Sequence, residues 1–322
     1  MEERHGGRSL KHFPVQLFAV VMGLSGLVIA YGKAYHFFYF PRLIYLALLF
    51  VDTLLFFLIF TTYMLKWLKY PEAVKEEYEH PIKSSFIATI SICFLLISIA
   101  YYDFAPTISV VYWFIGAPLH LFFTLSVISF WIKGEFHVKH INPAWFIPIV
   151  GNVLVPIMGV DMMPVYVSYF YFTVGMFFWL VLFTIITYRM IFHEPMPQRL
   201  IPTFFILIAP PAVGFISYLR MTFGSNDLAS QFLYLVAFFF LMQLAFMVKM
   251  FTKLKFFISW WAYTFPLDAI TIATILQYMM FRTAFLKFLS IALLFLTTVV
   301  IGIVAYKTVQ AVLEEKICVA EE

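Results

Sequence analysis

Two carboxylates interrupt long apolar runs: Asp52 in LLFVDTLLFF and Asp268 in WWAYTFPLDAITIATI. At mid-depth in hydrocarbon an aspartate costs about 2.5–3.5 kcal/mol on insertion scales, so it must face protein or water. There it can accept hydrogen bonds between helices, sit protonated in a dry interior, or carry a proton for a coupled carrier. We read both as interhelical hydrogen-bond acceptors, with proton coupling as the alternative. His120 follows Pro118 in GAPLHL and is expected to bond a carbonyl that the proline frees. The stretch EFHVKH offers Glu135, His137 and His140, a set that in principle holds a metal. It lies in a polar connector, where histidines are ordinarily exposed, so no metal is expected. The sequence has no His-Glu-x-x-His, no Gly-x-Ser-x-Gly and no protease-like aspartate pair on adjacent spans. The expectation is a protein that is not an enzyme and needs no cofactor.

The elements that must position these residues are membrane spans. Of 322 residues, 63% are hydrophobic and 12% charged, against about 45–50% and about 25% in soluble domains. Ten apolar stretches, each near the ~20 residues that cross a bilayer, run over about 14–31, 42–65, 83–102, 107–132, 143–160, 166–192, 200–222, 227–248, 257–281 and 285–308. Short connectors such as DFAP, GSND and RTAF join them, and the longest is KWLKYPEAVKEEYEHPIK between spans 2 and 3. The whole is an all-α integral membrane domain over 1–322, with 1–13 and 309–322 as polar ends of a bundle over 14–308. The start, MEERHGGRSLKHFP, lacks a small-residue cleavage site, so the first span is read as retained. With both ends in the cytoplasm, the outer loops hold only Lys33, Arg42, Arg220, Arg282 and Lys287 of the 21 Lys and Arg. That asymmetry orients the bundle and accounts for the net charge of +4 without nucleic acid. Arg189, Arg220 and Lys249 near span ends are expected to reach the interface. Cys93, within a span, and Cys318, in the tail, are not expected to pair.

Prolines divide the spans into two kinds. Span 5, NPAWFIPIVGNVLVPIMG, carries Pro148 and Pro156; span 7, LIPTFFILIAPPAVGFISY, carries Pro210 and Pro211; span 9 carries Pro266. Even spans such as FLYLVAFFFLMQLAF are bulky and unbroken, Pro118 in span 4 excepted. A proline frees backbone carbonyls, which in a bilayer need protein or a watery cavity nearby. Odd spans are therefore expected inside and even spans outside. Gly23 and Gly26 of span 1 are spaced for close helix approach.

The stretches WWAYTFPL, NPAWFIPIVGNVLVP, APPAVGFISYL and FAVVMGLSGL, in spans 9, 5, 7 and 1, resemble the tellurite-resistance/C4-dicarboxylate transporter family, which includes TehA and the plant slow anion channel. The resemblance covers essentially the whole membrane region, and WWAYTFP is its most specific part. It implies a homotrimer in the bacterial inner (cytoplasmic) membrane, of subunits built as five helical hairpins in quasi-fivefold array. The odd helices would surround a pore for small anions such as chloride or nitrate, and a phenylalanine on the ninth helix, here Phe265, would occlude it. The family also holds exporters of malate and sulfite, so a proton-coupled or facilitated exporter of C4-dicarboxylates, tellurite or sulfite is the alternative.

Given that resemblance, Pro266 is expected to bend span 9 so that the Phe265 ring enters the lumen, where a hydrophobic constriction closes an ion path by dewetting. Gly23, Gly26, Gly151, Pro156, Pro210, Pro211, Gly214 and Thr271 are expected to kink or line the pore, with Thr264 as a further hydroxyl. No lysine or arginine falls mid-span on an odd helix. A dicarboxylate carrier would be expected to use a bidentate arginine there; weak binding suits conduction instead.

Overall fold

The computed structural model describes residues 9–319; residues 1–8 of the polar N-terminal stretch and 320–322 of the tail lie outside the described residues. Ten helices are long and apolar enough to cross a membrane: α1 (Val15–Phe38), α2 (Arg42–Lys69), α3 (Ser84–Tyr101), α4 (Pro106–Lys133), α5 (Pro143–Met162), α6 (Val165–Phe192), α7 (Gln198–Met221), α8 (Leu228–Phe246), α9 (Ile258–Phe281) and α10 (Ala284–Leu313). The chain is a multi-pass membrane protein. The two ends of the described residues share one face, where the Ser9 N–H donates to the Cys318 carbonyl at 3.1 Å. We call this the terminal face and the opposite one the far face.

Several spans run past their apolar cores. At 28 residues, α2, α4 and α6 are each roughly 42 Å long at 1.5 Å per residue, more than a ~30 Å hydrocarbon core. Their ends therefore carry charge, as with Lys66, Lys69 and Lys133. On α1 the helix continues to Phe38, seven residues beyond the expected 31. Lys33 and His36 are thus helical, a correction to placing Lys33 in an outer loop.

The odd spans bury 72–94% of their apolar windows and the even spans 28–33%. α1 packs on α3, α3 on α5, α5 on α7, α7 on α9, and α9 closes on α1; each odd span also pairs with the even span that follows it. An odd span touches neighbours on every side, so nearly all its positions are buried. An even span buries one stripe, such as Tyr45, Leu49, Asp52, Phe56 and Ile59 on α2, and presents Phe50, Leu54 and Phe57 outward.

Odd spans enter the membrane from the terminal face with tight winding. Val15–Leu17, Pro143–Phe146, Gln198–Leu207 and Ile258–Tyr263 are 3-10 segments, and α3 opens with a short turn, Ser84–Ile87. Pro148, Pro210, Pro211 and Pro266 fall in the first turn of the α-helix that follows. There a missing N–H costs little, because the first four donors of a helix have no partner within it. This corrects the expectation that Pro210, Pro211 and Pro266 bend the middle of continuous helices. Among the described residues, only Pro118 and Pro156 stand inside α-helical bodies.

A buried ion pair anchors the terminal face. Lys66 Nζ lies 2.9 Å from Glu77 Oε1 and donates to the Phe13 carbonyl at 2.8 Å. Tyr63 donates to Glu77 Oε2 at 2.9 Å and the Val15 N–H to Oε1 at 3.4 Å. The short Pro71–Glu79 helix thereby ties α2 to the lead-in of α1.

Candidate functional site

On α9, Thr264 Oγ1 donates to the Trp261 carbonyl at 2.8 Å, joining the 3-10 segment to the α-helix. Its side chain fills the space at Gly23, where an added Cβ would stand 2.1 Å from Thr264 Oγ1. One turn on, Asp268 fills the space at Gly26, 2.5 Å from such a Cβ. Thr271 donates to the Leu267 carbonyl at 2.7 Å and meets Thr297 of α10 at 3.1 Å. Thr264, Asp268 and Thr271 therefore face α1 and α10, and none lines a cavity.

Phe265 faces elsewhere. Two cavities lie within the ring of odd spans, about 370 Å³ on the terminal side and about 450 Å³ on the far side. Phe265 and Leu154 belong to the walls of both. Along each odd span the lining passes from one cavity to the next: Met22 then Ile29 on α1, Ile92 then Leu96 on α3, Ile206 then Val213 on α7. On α9 the far cavity is lined by Phe265, Ala269, Ile272 and Leu276, one helical face. Phe265 is 8% exposed, buried between the two cavities whose walls it shares.

Charge sits at the two ends. His80, Lys83, Arg199 and Lys316 line the terminal cavity; Lys33, Asp103 and Arg220 line the far one. Arg220 Nε donates to the Ile157 carbonyl at 2.9 Å and its guanidinium pairs with Asp161. Asp103 pairs with His36 Nε2 at 3.1 Å. Between these ends the lining is mostly apolar, with Gln16, Thr89 and Ser259 as the uncharged polar residues of the terminal cavity.

Other sequence-predicted residues hold helices together. Ser25 of α1 donates to Asp52 Oδ2 of α2 at 2.6 Å. Asp268 was expected to accept interhelical hydrogen bonds as well, yet both its oxygens are buried without a partner among the described residues. The close approach of Gly26 puts helix surface, not a donor, against that carboxyl. His120 does not meet a carbonyl freed by Pro118: its Nδ1 bonds Ser91 Oγ of α3 at 2.8 Å. Its ring lies on Gly151, where a Cβ would come 2.1 Å from Cε1. Gly214 faces Met176 and Leu233. Thus Gly23, Gly26, Gly151, Gly214, Pro156, Pro210, Pro211 and Thr271 lie outside both linings, and of that expected set only Pro266 lines a cavity. Small residues here admit neighbouring side chains. Arg189, expected to reach outward, is buried and donates to the Glu194 carbonyl at 2.5 Å. In the α4–α5 connector the rings of His137 and His140 lie 5.6 Å apart; partial burial, then Lys139 and His137 nearby, lower the His140 pKa.

Sequence reasoning missed Leu154 and Lys33. Leu154 carries no signal in an all-apolar span. Lys33 was recoverable from IAYGKAYHFF, whose glycine and single lysine do not break a helix and whose long side chain can lie along apolar surface.

A family model described as SLAC1, voltage-dependent anion channel, matches residues 12–309. An uncharacterized transporter of Methanocaldococcus jannaschii is 30% identical over 89% of this chain and 91% of its own length. The S-type anion channel SLAH2 of Arabidopsis thaliana is 31% identical over 83% of this chain and 53% of the channel. A tellurite resistance protein TehA homolog of Haemophilus influenzae is 27% identical over 79% of this chain and 78% of that protein.

Proposed function

Because the chain belongs to the SLAC1 family of voltage-dependent anion channels, we propose that it passes small anions, chloride- or nitrate-like, along the axis of the odd-span ring, and that Phe265 closes this path. The observation that carries the reading is that one aromatic ring belongs to the walls of both cavities. An apolar constriction resists wetting, and an ion cannot shed its hydration there without replacement ligands. Basic side chains at either end raise local anion concentration, while the apolar middle binds weakly and lets ions leave. The proton-coupled alternative loses support, because Asp52 and Asp268 stand outside both linings.

The same reading assigns the terminal face to the cytoplasm, since the far side holds few of the lysines and arginines. It assigns the outward apolar faces of the even spans to lipid and to the contacts of a homotrimer. The test is Phe265→Ala. Shortening this side chain joins the two cavities, so anion conductance in bilayers or oocytes should rise at least tenfold over wild type. An unchanged current from a mutant that elutes and melts like wild type removes Phe265 as the closure.

A further inference from the structure

We infer that Lys33 forms a binding site for a single monovalent anion in the far cavity, a station where an ion rests before or after passing Phe265. The inference rests on the anion path proposed above. Lys33 lies on α1 one turn beyond Ile29, and both line the far cavity. No hydrogen bond or ion pair holds its ammonium among the described residues, whereas the other charged groups of that wall are engaged. Arg220 is fixed by the Ile157 carbonyl and by Asp161, and Asp103 by His36. The Asp103 carboxylate on the same wall acts on Lys33 only across space, with no direct contact. The ammonium has therefore lost hydration without a hydrogen-bonding replacement, and a permeant anion in the cavity supplies a contacting counter-charge.

The surroundings also choose the class of anion. One unengaged cation balances one negative charge. A dicarboxylate would bring a second carboxylate into a cavity of about 450 Å³ whose other lining cation, Arg220, is paired with Asp161 and whose wall includes the Asp103 carboxylate. Like charges at such range repel. Lys33 thus favours chloride or nitrate over a dianion, and it does so on one side of Phe265 only.

The experiment uses the full chain with Phe265→Ala, so that current is available, and compares Lys33→Gln and Lys33→Arg in that background. If Phe265→Ala alone passes no anion current, the path itself is wrong, and that failure is distinct from failure of Lys33. With current present, chloride is titrated from each side in turn. Lys33→Gln should raise the half-saturating chloride concentration about fivefold or more from one side and leave the other side unchanged; a unit charge at contact is worth about that factor even with bulk-water screening. Lys33→Arg should restore the wild-type value, which separates charge from packing. Asp103→Asn should lower half-saturation about twofold, the scale of a partly exposed charge. Succinate should saturate at higher concentration than chloride from the Lys33 side. An unchanged half-saturation in a Lys33→Gln protein that elutes as wild type overturns the site. Succinate saturating below chloride overturns the assigned anion class.

Discussion

Removing the carboxyl of Asp268 should make the protein more stable, the reverse of the usual result for a buried aspartate. The reason is geometric: both oxygens are buried without a hydrogen-bond partner among the described residues. An aspartate at the centre of a membrane helix costs about 2.5–3.5 kcal/mol, and nothing in the α1–α9 contact offsets it. Asp268→Ala also leaves a hole of about 40 Å³, which at ~24 cal/mol per Å³ costs about 1 kcal/mol. The balance is a gain of about 1.5–2.5 kcal/mol. Asp268→Asn keeps the shape but leaves an unpartnered amide worth about 1–3 kcal/mol, so its gain is smaller. Heating detergent-solubilised protein and following the folded fraction by size exclusion should rank Ala above Asn above wild type, with the Ala variant several degrees higher at about 2–4 °C per kcal/mol. Anion flux in liposomes should stay within twofold of wild type, because this side chain lies outside both cavities and the Thr264 contact on Gly23 and the Thr271–Thr297 bond still hold α9 in place. A fall of several degrees in Asp268→Ala, with Asn unaffected, would mean that the carboxyl accepts a hydrogen bond and would refute the argument. Loss of flux from a stable Asn variant would put the group on the transport path.

Lys66→Met leaves Glu77 buried with only Tyr63 and the Val15 N–H as donors, and should cost about 3–5 kcal/mol. Adding Glu77→Gln should recover most of that in a double-mutant cycle read by thermal melts, and additive losses would exclude a coupled pair. At the far-face start of α8, Asp227 accepts from the Ser230 N–H at 2.9 Å and from Tyr218 at 2.7 Å, and these bonds, the backbone one first, hold its pKa below the usual 3.8. A depressed folded-state value stabilises fully above 3.8 and is lost as pH falls through the folded value. The melting advantage of wild type over Asp227→Ala should therefore shrink below pH about 4, and a constant gap down to pH 2 would exclude the ionised cap.

Span number and layering were legible because each rests on a coarse quantity. A run of about 20 apolar residues has few alternatives to crossing a bilayer. Prolines gather where the odd spans pass from 3-10 winding into α-helix, as at Pro148 and Pro266, so they marked the inner spans although they do not bend them mid-helix. Span ends were less legible: α1 continues through Gly32 and Lys33 because a lysine stem is itself apolar, and hydropathy alone stops at Tyr31. Which side chains face the axis was not legible at all from periodicity. A helix buried on every side has no amphipathic stripe to read, so Leu154 is indistinguishable in sequence from Val153 or Val155.

The glycines and hydroxyls of α9 and α1 show why a search for polar lining misleads here. At about 100° per residue, Thr264, Asp268 and Thr271 fall within about 60° of one another. Phe265, Ala269, Ile272 and Leu276 cluster on a second face about 100° further round. The polar face is the one that packs on Gly23, Gly26 and Thr297, and the apolar face is the one that lines the cavity. Hydroxyls bond back to their own helix, as Thr264 and Thr271 do, and the glycines opposite bring the two backbones close. Those contacts turn the second face of α9, Phe265 included, toward the two cavities. The polar residues of WWAYTFPLDAITIATI therefore pack α9 against α1 and α10, and leave its apolar face to line the cavity.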